Sequence, residues 1–146
     1  MNENDKKRIA RVDAAMDSLC RKRGFAAPVE VLKELGLLSE KDYRNWRAGR
    51  VDYLERVVQT NLSKLTKIMR EIRAYAMRHG LKPSYTVYCV SGSSRRLRFS
   101  KSGDPSIERN YATHYVDKSR TAELKEEKQK AKEEREKAKK EAEPDA

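Results

Sequence analysis

A seven-residue apolar rhythm, from Leu54 through Val58, Leu65, Ile68 and Ile72 to Tyr75, constrains the fold of this chain more than any other feature. Val57, Leu62, Met69 and Ala76 widen the stripe, while Lys64, Lys67, Arg70, Arg73 and Arg78 fall on the other side. The spacing predicts one long amphipathic helix from about Val51 to His79, ended by Gly80 and Pro83. Asn61 occupies the missing place in the series, and a lone polar residue in an apolar seam can fix the register between paired helices. The stripe is wider than a two-stranded seam needs, which favours packing inside the monomer.

Around that helix the punctuation is clear. Ile9, Val12, Met16, Leu19 and Cys20 recur at helical steps and predict a first helix over 4–23, stopped by Gly24. Pro28 suits the first position of a short helix carrying Val31, Leu32 and Leu35, with Gly36 as its breaker. Ser39 is a candidate N-cap for a third helix that bears Tyr43 and Trp46 and ends near Gly49. No strand is expected between these early helices. After Pro83 the period changes to two: "SYTVYCV", the turn "SGSS" and "RRLRFS" predict a β-hairpin, with Arg96 and Arg98 outward and Leu97 and Phe99 inward. Asp104 and Pro105 mark a further helix start, and "YATHYV" reads as a third strand.

The expected fold class is therefore α+β. An N-terminal helical bundle with one long helix leads into a small antiparallel hairpin or three-stranded sheet, all within a single basic domain over residues 1–116. Residues 117–146 have almost no apolar side chains beyond alanine, and their Glu to Lys pairs four apart support a solvated helix or a disordered tail.

Charge decides which partners to consider. The chain has 146 residues and a formal net charge of +11, yet residues 117–146 contain ten basic and ten acidic residues and contribute nothing to it. The whole excess sits in residues 1–116, with 24 basic against 13 acidic residues. A domain so charged attracts polyanions, nucleic acid foremost among them.

Two protrusions collect arginines. The segment Pro28–Gly49 resembles a helix-turn-helix, since Val31, Leu35 and Gly36 fit two helices crossing at a tight turn. Its second helix departs from the pattern: Asp42 and Asn45 stand at apolar positions, and Tyr43 and Trp46 are displaced by one. In a reading helix, Arg44, Arg47 and Arg50 would meet guanine or phosphate acceptors. Trp46 itself reads as packing between a short and a long helix. The other protrusion is the hairpin, with Arg95, Arg96, Arg98 and Lys101. It could act as a wing on backbone phosphates, combine with Tyr88 to clamp a single strand, or simply be an edge strand guarded by arginines. Arg70 and Arg73 on the long helix complete the candidate set. The expected partner is nucleic acid, with DNA ahead of RNA; the alternative is a protein-interaction or oligomerisation module built on the long helix.

Other classes find little support in the residues. "SKSGD" lacks the spacing of a phosphate-binding loop and reads as a turn. Cys20, Cys89, His79 and His114 are too scattered for a zinc site, and no nucleophile and base stand in a recognisable arrangement. No metal, cofactor or enzymatic activity is expected. No run of about 18 apolar residues predicts a membrane span, and the chain reads as cytoplasmic with both thiols reduced.

Overall fold

The computed structural model describes residues 1–142. It is an α+β fold in which α1 (Glu3–Arg23) lies against α4 (Leu62–Arg78), and a three-stranded antiparallel sheet closes one end. Asn2 caps α1 by accepting from the Asp5 amide at 2.8 Å. Val12, Ala15, Met16, Leu19 and Cys20 face inward from it, and Gly24 ends it at φ +80°. Gly24 is required twice over, because a Cβ there would come within 2.6 Å of Thr121 Oγ1.

The chain then runs through β1 (Phe25–Ala26), α2 (Pro28–Glu34) and α3 (Glu40–Arg47). The strand β1 corrects the expectation of none between the early helices. It pairs with β3 (Thr113–Val116), Phe25 opposite Val116 and Ala26 opposite Tyr115. Two residues are too few to show an alternating pattern, so only the distant partner makes them a strand. Ser39 caps α3 as expected, accepting from Asp42 N at 3.1 Å.

The long helix predicted from Val51 to His79 is not continuous. Residues 51–61 hold only a 3₁₀ turn (Leu54–Val57), and α4 begins after Asn61. The Asn61 side chain accepts from the Lys64 amide at 2.9 Å, so the residue that interrupted the apolar series is an N-cap. Leu54 and Val58 still reach the core, but from a turn held elsewhere: Leu54 N and Glu55 N donate to the carbonyls of Arg98 and Phe99 at 3.1 and 2.9 Å. The apolar face of α4, from Leu65 to Ala76, is covered inside the monomer, mainly by α1.

The sheet has the order β1–β3–β2, with β2 (Lys82–Tyr85) antiparallel to β3 from Lys82 opposite Val116 to Tyr85 opposite Thr113. The "YATHYV" strand is thus present, whereas the predicted hairpin is reduced. Residues 86–99 form a loop closed by a single bridge, Cys89 opposite Arg96, flanked by Val90 N to Arg95 O (2.8 Å) and Leu97 N to Tyr88 O (2.9 Å). A longer ladder cannot form, because the backbone of Arg98 and Phe99 is already bonded to Trp46, Leu54, Glu55 and Glu108.

Asp104 and Pro105 open α5 (Pro105–Ala112), with Asp104 Oδ1 accepting from Ser106 and Ile107. The tail is helical as α6 (Lys118–Ala142), and none of its described residues is buried. Its first turn is nevertheless fastened to the end of α1. Asp117 N and Thr121 Oγ1 donate to Gly24 O at 2.8 and 3.2 Å, and Arg120 Nε to Arg21 O at 2.8 Å. No helix among the described residues is long and apolar enough to cross a membrane.

Candidate nucleic-acid interface

Trp46 organises the region where the arginines meet. Its ring is fully buried between Tyr43, Tyr88 and Phe99, with ring centroids 5.2 to 6.2 Å away. Its Nε1–H donates to the Arg98 carbonyl at 2.8 Å. One side chain of α3 therefore holds the segment that the sequence reading made the outer arm of a hairpin. Phe99 stacks in turn on Tyr111 at 5.4 Å, and Tyr88 bonds to His114 Nε2 at 2.6 Å while His114 stacks on Phe25. This aromatic chain links the helical corner to the sheet.

The consequence is that corner and loop form one surface. Ser91 N donates to Arg47 O at 2.9 Å, and the Arg95 guanidinium reaches Gly49 O at 3.5 Å. Gly49 sits at φ +78°, and a Cβ on it would press to 3.2 Å on the Val90 methyls, so the close approach needs glycine. Between the two segments lies an open cleft of about 440 Å³, lined by Gly49, Val51, Asp52, Tyr53, Val90 and the Arg95–Arg98 run.

The arginines differ in how free they are. Arg95, Arg96 and Arg50 are exposed, and Arg50 makes only a long contact with Asn45. Arg98 is committed to the fold. Its Nε donates to Ser100 O at 2.8 Å, its terminal nitrogen to Lys101 O, and its guanidinium covers the Tyr53 ring at 5.6 Å. Arg47 lies over the Tyr88 ring at 5.4 Å, and Arg44 is held by Glu40 at 3.3 Å. Lys101 is exposed beside them. Asp52 is the carboxylate on the lining, and Arg56 pairs with it at 3.1 Å. Tyr88 is half-buried in the aromatic chain, with Arg47 over its ring, and it lines a depression with Arg96, Arg98 and the exposed Tyr85. Arg70 and Arg73 are not brought to this cleft. Arg70 lines a shallow depression with Met1, Asp5, Arg8 and Lys67, and Arg73 is half-buried near Tyr115.

The loop "SKSGD" is a turn in which the amides of Ser100, Lys101, Gly103 and Asp104 are satisfied within the protein. Phe99 N and Ser100 N donate to the two oxygens of Glu108 at 2.9 and 2.7 Å, Lys101 N to Glu55 at 2.9 Å, and Gly103 N to the buried Ser100 Oγ at 3.0 Å. Carboxylates occupy the positions an anion would need. Among the described residues no group of three or more His, Cys, Asp or Glu is arranged to hold a metal ion.

The chain matches no protein-family model, no curated protein and no solved structure. The sequence located the arginines of the corner and loop but missed a second basic group, Lys7, Arg11 and Lys64. The first two signal themselves only as a four-residue step on the outer face of α1.

Proposed function

We propose that this is a small cytoplasmic nucleic-acid-binding protein, and that the corner and loop together grip duplex DNA. The observation that supports it is the open cleft lined by Arg95, Arg96 and Arg98, flanked in the chain by the exposed Arg50 and Lys101, with a single carboxylate on the lining that is already paired. Guanidinium groups fixed on a scaffold bond backbone phosphates readily, and their net positive field draws the polyanion in.

The aromatic faces support a duplex over a single strand. Binding a single strand by stacking requires open rings, but Tyr53 is covered by Arg98 and Tyr88 by Arg47, and the exposed Tyr85 borders a different depression from the arginine cleft. Backbone contact to a duplex makes no such demand. Two features had favoured self-pairing of the long helix, and both have intramolecular roles: the apolar stripe of α4 packs on α1, and Asn61 caps the helix.

Labelled duplex titrated at several salt concentrations tests the reading. Each phosphate contact contributes a log-log slope of about −0.9, so Arg95→Gln with Arg96→Gln should reduce the slope by roughly 1.8 and weaken binding about tenfold. Arg70→Gln with Arg73→Gln should leave both unchanged. Unaltered affinity in the first pair, or retention on heparin that ignores salt, refutes the proposal.

A further inference from the structure

We infer that a second, separate cleft binds an acidic segment of a partner protein that carries aliphatic side chains. A cleft of about 490 Å³ lies between α1, the turn after α2 and the start of α4. Its rim carries Lys7, Arg8, Arg11 and Lys64, and its floor is made by Val12, Leu35, Leu37 and Ile68. It shares no lining residue with the arginine cleft.

Three observations narrow the occupant. No carboxylate lines the cleft, and among the described residues Lys7, Arg11 and Lys64 have no ion-pair partner, while Arg8 is held by Asp5 at 2.7 Å. Glu34 lines an adjoining depression with Arg11 and Leu35. Unpaired cations on one rim call for an anionic partner. The apolar part of the lining is aliphatic, with Leu35 and Leu37 only partly covered, so it offers methyl groups to pack on; Asn4, Gln59 and Thr60 add polar groups, and no aromatic ring is present on which a base could stack. Helix-in-groove recognition combines these two chemistries, with leucine-like anchors below and acidic residues toward the rim. Nucleic acid satisfies the rim but not the floor.

A fluorescein-labelled amphipathic peptide, leucine at i, i+3 and i+7 with glutamate at most other positions, is the probe, read by fluorescence anisotropy. Saturable binding with Kd in the range of about 1 to 100 μM is expected. Replacing the glutamates by glutamine, or the leucines by serine, should each weaken it about tenfold or more. Lys7→Glu with Arg11→Glu should do the same, as should Lys64→Glu; all three positions are exposed, and circular dichroism checks the fold. Arg95→Gln with Arg96→Gln should leave peptide binding unchanged, which separates this site from the nucleic-acid surface. Absence of saturable binding overturns the inference, as does equal binding of the serine peptide. So does indifference to the α1 reversals, or loss of duplex affinity in those same reversals, which would assign the cleft to nucleic acid.

Discussion

At the scale of single residues, one carboxylate is held at odds with its surroundings. Asp13 on α1 meets Glu71 and Arg78 on α4, with Arg78 bonded to both at 3.1 and 2.8 Å, and one Asp13 oxygen is buried without a partner. Burial, followed by the neighbouring Glu71 carboxylate, pushes its pKa from the usual 3.8 up to about 6, against the opposing pull of Arg78. Glu71 moves the other way: burial raises it, but its interactions with the neighbouring Asp13 and with the Arg78 guanidinium outweigh that and hold it below the ordinary glutamate value. For Asp13 the folded state keeps its proton where the unfolded chain has lost it, so its contribution to stability falls as pH rises from about 4 to about 6 and is flat above. Asp13→Asn removes that charge and leaves Arg78 its bond to Glu71. The variant should melt higher than the parent at pH 7.5, by about 2 to 4 °C if the net gain is near 1 kcal/mol, and the gap should close toward pH 4. Melting curves across that range check it, and a gap independent of pH would exclude the titration as its cause.

At the scale of elements, Asn61 separates two readings of the same pattern. In a continuous seam, Asn61→Leu would extend the apolar stripe and stabilise the chain. As an N-cap, the side chain satisfies the Lys64 amide, and leucine cannot, so the substitution should destabilise by about 1 kcal/mol with an unchanged denaturant m-value. Denaturant unfolding decides between the signs. The helix was legible from Leu65 to Ala76 because its own residues carry the period. Its start was not, because Leu54 and Val58 point inward from a 3₁₀ turn as well as they would from a helix. The same limit applies to the sheet: the residues of β3 looked like a strand, but nothing local says that Lys82–Tyr85 pairs with it, 28 residues farther along the chain at Thr113, instead of with "RRLRFS". Caps formed by near neighbours, Ser39 to Asp42 and Asp104 to Ser106, could be read directly. Which arginines are free could be read only where the partner is local, as for Arg44 and Glu40; Arg47 over Tyr88 and Arg98 over Tyr53 are tertiary facts.

At the scale of the whole molecule, charge and stability reside in the same part of the chain. The +11 belongs to residues 1–116, and among the described residues α6 is hydrogen-bonded to them through Asp117, Arg120 and Thr121. Beyond Leu124 every described residue is exposed, and residues 125–146 contain eight basic and eight acidic side chains. Helical residues add about 1.5 Å each, so the free part of α6 reaches well beyond the first turns that hold it. Its stability rests on i to i+4 pairs worth about 0.2 to 0.5 kcal/mol apiece, which support the arm and nothing in the core. A chain ended after Leu124 retains all three fastening residues and the full positive charge. Its melting temperature should match that of the full chain. If nucleic acid is the partner, its salt slope for duplex binding should match as well, since that slope counts phosphates neutralised and the removed segment is neutral overall. A lower melting temperature would mean that the exposed arm packs on something in solution. A shallower slope at equal stability would mean instead that its lysines touch the duplex despite the balancing glutamates, and would move part of the binding surface onto α6.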